Sequence, residues 1–424
     1  MRTALLTTSL PNPDSGSGAS ITLALIASSL AERGHEVSIC PIVYPEYTTP
    51  DGADHEQQIE HARTLGYEVA PVISEAWRPR AAVAGLNAKL RRAWRPEVDE
   101  LYPQVRDAAR VHSVLEELRP EAVLVYGFAA LAASIDLTVP RFAATSDPPH
   151  LALWGRTWRR WRNERRPLRA VREAIGIQST LRAHPRLALE LLRECEAVGA
   201  FGFHHAEWLR RLGIDCGYYR TPIADPGVSG PPTAGDPPTI LLIGHLHGTA
   251  TLDGLSVFRR MLPYLERTLG PGGFKVRIVG GYEPPPELAP LFAHPAVDFA
   301  GFVDDVEREF RRTDILLVPV SIKLGVRVRV LTGFSYGNCI VTHEANARGI
   351  PELSNGENAL LGSNAEQLAQ AVVRALGDPD LRVRLGAGAR STYERFFTPE
   401  AAGGQLGETL ERIAARPRET AGRG

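Results

Sequence analysis

The apolar run Thr239–Ile243 (TILLI) leads into Gly244-His245-Leu246-His247-Gly248-Thr249, and the rest of the C-terminal half repeats this grammar. Lys275–Val279 is followed by Gly280-Gly281-Tyr282, residues 297–299 by Gly301-Phe302-Val303-Asp304-Asp305, and Ile315–Val318 by Pro319. Next come Lys323-Leu324-Gly325-Val326-Arg327-Val328-Arg329-Val330-Leu331-Thr332-Gly333-Phe334-Ser335-Tyr336-Gly337, the run 339–342, and His343-Glu344-Ala345-Asn346-Ala347-Arg348-Gly349-Ile350-Pro351. Short, nearly continuous apolar runs that stop at glycine or proline, with helix-length segments between them, predict parallel strands buried on both faces. Helices are expected over 252–269, 305–312 and 329–336, then over 365–377, 379–396 and 401–414.

The N-terminal half alternates in the same way. Residues 3–8 read as a strand, 11–20 as a loop of Pro, Gly, Ser and Asp, and 21–33 as a helix closed by Gly34-His35. Strands follow over 37–40, 121–126 and 141–145. Residues 221–239 (TPIADPGVSGPPTAGDPPT) are dense in Pro and Gly and have no apolar period, which marks a linker. The expected division is an N-terminal domain over 1–222, a linker over 223–238, a C-terminal domain over 239–400, and a helix and tail over 401–424. The fold class is α/β: two Rossmann-like doubly wound domains facing a cleft, with ligands beyond the carboxyl ends of the strands.

Composition narrows the function. With 424 residues, two domains are the expectation. Forty-eight basic against 49 acidic side chains leave a net charge of −1, so no global field selects nucleic acid or membrane. The four cysteines form no CxxC pair and read as reduced thiols. The run after Arg2 is short and ends at Pro11, which fits a strand better than a secretion signal, and no run approaches the roughly 18 apolar residues of a spanning helix. A cytoplasmic location is expected, with peripheral membrane contact left open.

Several residues are candidates for chemistry. Gly16 and Gly18 sit between the first strand and its helix, where small residues let an anion reach free backbone N–H groups. Cys40-Pro41 ends the second strand in place of an acidic ribose clamp, which disfavours nicotinamide binding. Asp147 and His150 follow a strand end, so either can meet a sugar hydroxyl or take a proton from an acceptor; Asp147 can equally cap the turn before its proline pair. Arg327 and Arg329 would diverge by about 200° inside one helix, but at a helix start both can face a phosphate. A solvated helix start is the alternative. Two segments combine Arg with Trp: Trp154, Trp158 and Trp161 among eight arginines over 156–172, and Trp77 and Trp94 with Arg78, Arg80, Arg91, Arg92 and Arg95. They suit an anionic acceptor or a membrane interface, or else solvated helices whose Trp rings fill small cores; a nucleic-acid partner is not expected. No metal-cage, P-loop or nucleophile-elbow spacing occurs.

The ordered string of strand-end motifs resembles the C-terminal domain of GT-B glycosyltransferases, especially the large retaining family 4 that includes sucrose synthases and bacterial α-mannosyltransferases. Gly244, Gly280, Gly301, Asp314, Pro319, Gly325, Arg327, Gly337, Gly349 and the run 355–361 occupy matching positions. The likeness covers roughly the last 160 residues well and the first 40 loosely, and it is the series rather than any one motif that is specific. It implies transfer of a sugar from a nucleoside-diphosphate donor to a hydroxyl acceptor, with retention and without a metal or other cofactor. Arg329 stands where the family has its phosphate-binding lysine, and Ala345-Asn346 would add N–H groups to the diphosphate. Gly244, His247, Gly280, Arg327 and Thr332 complete the implied donor site; Asp147, His150 and Arg329 are the implied catalytic set. Two departures stand out. Leu324 and Thr332 replace the two glutamates that meet donor sugar and ribose, and His245 and His247 lie where the family has a basic pair, unless they cap the loop. The departures leave a second reading, a degenerate homologue that binds nucleotide sugar or a partner without turnover. A nucleotide-sugar epimerase is disfavoured for want of an acidic cluster.

Overall fold

The computed structural model describes residues 1–13, 18–43, 55–74, 102–145, 147–148, 150–151, 178–227 and 235–416. The two Arg/Trp segments, over 77–95 and 154–172, lie outside them. Among the described residues no helix is long and apolar enough to cross a membrane.

The N-terminal sheet holds β1 (Arg2–Thr7), β2 (Glu36–Val43), β3 (Glu68–Val69), β4 (Val72–Ile73), β5 (Ala122–Tyr126), β6 (Arg141–Thr145), β7 (Ala197–Ala200) and β8 (Cys216–Tyr218). Its order is β3-β2-β1-β5-β6-β7-β8, with β4 also on β2. Its helices are α1 (Gly18–Glu32), α2 (His55–Thr64), α3 (Ala108–Leu118), α4 (Phe128–Ala133), α5 (Gln178–Arg193) and α6 (Phe203–Arg211). The second sheet holds β9 (Thr239–Ile243), β10 (Lys275–Val279), β11 (Val297–Gly301), β12 (Ile315–Val318), β13 (Ile340–His343) and β14 (Leu360–Gly362), in the order β11-β10-β9-β12-β13-β14. With it go α7 (Thr249–Leu269), α8 (Ala289–Phe292), α9 (Val306–Arg311), α10 (Val328–Ser335), α11 (Ala365–Gly377) and α12 (Pro379–Phe396), and the chain closes with α13 (Pro399–Ala414).

The near-continuous apolar strands are covered on both faces, as their composition requires. Ala4, Leu5 and Leu6 are all fully buried. Leu5 packs with Leu23, Ile26 and Leu30 of α1, while Ala4 and Leu6 join Val111 and Leu115 of α3 on the other face. In the second domain Leu241 meets Val330 and Phe334 of α10, and Ile240 and Leu242 meet Leu255 and Phe258 of α7.

Two segments near the domain divide are firmly packed. The last helix crosses back to the first domain: Leu406, Leu410 and Ile413 of α13 fill the same core as Leu5 and Leu30. Gly403 and Gly407 allow this approach, because a Cβ there would come within 2.3 Å of Ser29 and 2.5 Å of Arg33. Each buried Leu or Ile of this helix contributes roughly 1.5–3 kcal/mol to the N-terminal domain. The first part of the expected linker is also packed. Ile223 is buried, its N–H donates to the Phe397 carbonyl (2.8 Å), and its own carbonyl accepts from the Tyr393 hydroxyl (3.1 Å).

Candidate functional site

Strand order reverses between β1 and β5 in one sheet and between β9 and β12 in the other, so each domain has a crevice at that point. The two crevices face each other. A Cβ placed on Gly18, the first residue of α1, would lie 3.7 Å from Val328 Cγ2, at the first residue of α10. Gly16 lies outside the described residues.

On the C-terminal side, α10 begins with Arg327 as its N-cap residue, without a side-chain cap. Arg327 and Arg329 diverge from this turn. The Arg329 guanidinium lies over the end of β9, and its Nη2 donates to Thr251 Oγ1 (3.1 Å) in the first turn of α7. Gly244 makes this possible: its φ is +148°, and a Cβ there would meet Arg329 Nη2 at 2.5 Å. Arg327 turns toward the other domain, with Nη2 donating to the Ile322 carbonyl (3.2 Å) and a buried Nε that has no partner. No carboxylate among the described residues lies within ion-pair distance of either arginine. Burial, then the charge of Arg327, brings the Arg329 guanidinium down to about 10. Burial also lowers Arg327, opposed by the negative fields of Asp147 and Asp253. Unpaired cations at the carboxyl ends of strands, beside the N-terminus of a long helix, form an anion site.

Facing Arg327 is a cluster that the sequence only half discloses. Asp147, just past β6, rests on the Gly325 turn, where a Cβ would come within 3.1 Å of its Oδ2 and where φ is +65°. Burial raises the Asp147 pKa; the field of Arg327 and the Gly325 N–H pull it back. His205 Nδ1 is 3.7 Å from Asp147 Oδ1, and the His204 and His205 rings pack at a 53° tilt with centroids 3.9 Å apart. His150 packs on Trp208. Desolvation drives these imidazoles toward their neutral form, His205 to about 3 and His150 to about 4, with His204 also lowered. His204 and His205 were not among the sequence candidates. Their available signal was position: they open α6 directly beyond the end of β7, at the same edge of the sheet as Asp147.

Other expected donor residues have structural work. Gly280 lets two strand ends touch, since a Cβ there would lie 2.1 Å from the Gly244 carbonyl oxygen, and its N–H donates to the Gly301 carbonyl. The Ala345 N–H donates to His343 Nδ1 and is therefore taken. The buried Asn346 side-chain amide donates to Thr342 Oγ1 (2.8 Å) and toward the Val318 and Val320 carbonyls, pinning β12 to β13. Thr332 Oγ1 donates to the Val328 carbonyl one turn back, so its hydroxyl retains only acceptor capacity. His247 is exposed and stacks on Tyr282, and its N–H donates to His245 Nδ1, so His245 caps the loop. Among the described residues, no three His, Cys, Asp or Glu side chains form a group that could hold a metal ion.

Comparison with known proteins agrees with this layout. Residues 237–378 match the family described as glycosyl transferases group 1. No curated protein matches the sequence. Among solved structures, sucrose-phosphate synthase from Thermosynechococcus elongatus is similar over 98% of this chain and 99% of its own, at 13% identity and a TM-score of 0.66. HepE from Anabaena, solved with UDP and glucose, is similar over 96% and 99%, at 15% identity and a TM-score of 0.63. A TarM variant from S. aureus, in complex with fondaparinux, alpha-GlcNAc-glycerol and UDP, is similar over 98% and 100%, at 9% identity and a TM-score of 0.65. The fold is therefore that of the GT-B glycosyltransferases, and its second half carries a domain of the glycosyl transferases group 1 type, which marks the chain as a transferase.

Proposed function

We propose that the protein transfers a glycosyl group from a nucleoside-diphosphate sugar to a hydroxyl acceptor, with retention and without a divalent ion. The observation that carries this reading is the pair Arg327 and Arg329: two guanidinium groups on one helix start, at a strand switch point, with no carboxylate partner among the described residues. The bound UDP in HepE and TarM supports a nucleoside diphosphate as the matching anion. As the bond from the anomeric carbon to the diphosphate breaks, negative charge grows on the departing oxygen. Arg329 and the N-terminal turns of α7 and α10 offset it from fixed positions. The acceptor oxygen bonds to the anomeric carbon on the same face, and its proton passes to the departing diphosphate. His150 lines the acceptor side, where its neutral ring can orient the acceptor hydroxyl, and Asp147 lies between it and the donor. Closure of the two domains excludes the water that would otherwise hydrolyse the donor.

The test has two stages. Nucleotides and nucleotide sugars are screened by thermal shift, and diphosphate-nucleotide release is then measured for wild type and Arg329→Ala. Stabilisation by at least one nucleotide, and turnover that Arg329→Ala abolishes, are expected. A screen in which no nucleotide stabilises the protein would end this reading. Binding with no turnover on any hydroxyl acceptor would assign nucleotide-sugar binding alone.

A further inference from the structure

Among the described residues, buried side-chain polar atoms without a hydrogen-bond partner gather in one place: Asp147 Oδ1, His150 Nδ1, His205 Nε2 and Arg327 Nε. Buried polar groups are ordinarily satisfied, and each one left bare carries a desolvation cost that nothing repays. Such a concentration points to a missing polar occupant. The cluster is drawn from both domains, Arg327 from the C-terminal one and the others from the N-terminal one, so opening the cleft exposes it. The His205–Asp147 separation of 3.7 Å is longer than a hydrogen bond, so neither group saturates the other.

The chemistry of the lining narrows the occupant. A neutral imidazole both donates and accepts, a carboxylate accepts and a guanidinium donates; together they suit hydroxyl groups, which need one donor and one acceptor each. A phosphate would be repelled by Asp147. The cluster also touches the Leu324–Gly325 turn, whose leucine has no polar contact to offer, and Arg327 is two residues from Arg329 at the anion site. A ring bonded directly to the terminal phosphate would lie here.

We propose that His205, together with Asp147 and Arg327, forms the socket for the hydroxyl groups of the donor's glycosyl ring, with His204 packed against His205 as a positioning residue. This rests on the nucleotide-sugar reading above. The sugar's hydroxyl groups then supply the bonds these atoms lack, so closure depends on the glycosyl group and not on the nucleotide alone.

The experiment measures the affinities of UDP, GDP and ADP, alone and as their glucose, mannose and N-acetylglucosamine conjugates, for wild type, His205→Leu and Asp147→Asn. In wild type one conjugate is expected to bind about 10-fold more tightly than its parent nucleotide, the effect of one or two extra hydrogen bonds. Both variants are expected to cut that increment to less than about 3-fold while the parent nucleotide binds as before, which also shows that they are folded. Conjugates that bind wild type no better than the parent nucleotide would overturn the socket and leave the transferase reading standing. So would variants that keep the increment, or that lose both affinities equally. If no nucleotide binds, both readings fall.

Discussion

Arg329 is charged, enclosed and, among the described residues, without a carboxylate partner, an arrangement that costs stability while the anion is absent. Replacing it by Met should therefore raise the Tm of the ligand-free protein while removing nucleotide-induced stabilisation, both read in one thermal-shift series. An arginine with a purely structural role would lower Tm instead. Gly244→Ala attacks the same group from beneath. The new Cβ would occupy the place of Arg329 Nη2 at a φ of +148°, so turnover should fall by an order of magnitude or more, at a stability cost of about 1–3 kcal/mol. Calorimetry and product release check the two parts separately. At this scale the sequence was only partly legible. Arg329 announces itself at a helix start, but that Gly280 lets two strand ends touch and that the Asn346 side chain pins β12 to β13 shows only in space. His204 and His205 are adjacent histidines on a short helix; only the parallel order of β6 and β7 brings them against Asp147.

Among the elements, α13 is the one whose removal has the clearest expected result. Its Glu411 accepts from Arg33 through Nε (2.7 Å) and Nη2 (3.1 Å), and lies 3.2 Å from His35 Nε2. The Arg33 hydrogen bond chiefly holds the Glu411 carboxyl at about 2. A depressed carboxylate stabilises the fold above the unfolded value near 4.5, and that support is lost as pH falls toward 2. Glu411→Gln should accordingly flatten the acid limb of Tm between pH 5 and about 2 and leave turnover at neutral pH unchanged. Leu410→Ala, which opens a hole under the same helix, should cost about 2–5 kcal/mol in denaturant unfolding. The elements were partly readable, because β9, β10, β11 and β12 stop at Gly244, Gly280, Gly301 and Pro319, whereas β14, three residues long, gave no such signal. The destination of α13 was not, since an amphipathic helix does not say which of two open cores it will cover.

For the whole molecule, the buried imidazoles make the closed cleft sensitive to acid. His205 at about 3 and His150 at about 4, with His204 lowered too, mean that the closed arrangement favours the neutral rings. Its support is complete above the ordinary value near 6.5 and is lost as pH falls through 6 toward 4, at about 1.4 kcal/mol per histidine for each pH unit. Arg327 faces these rings and the field of Arg348 also reaches His204, and both repel a protonated imidazole; the hydrogen bonds of His204 to the Arg348 and Lys323 backbones work the other way but are outweighed by burial. Asp147 works in the opposite sense, because burial disfavours its carboxylate and protonation relieves that cost. Three imidazoles against one carboxyl leave a net opening on acidification. X-ray scattering should show the radius of gyration growing between pH 7.5 and pH 5, and the double substitution His204→Gln, His205→Gln should abolish most of that growth. The return of α13 has a consequence for how such a molecule is made. The second domain is a continuous stretch spliced into the first, so it can complete its core as soon as it leaves the ribosome. The first domain is emitted earlier yet finished later: the groove over Leu5 and Leu30 stays uncovered until residues 399–414 emerge. Order of synthesis and order of completion are thus reversed.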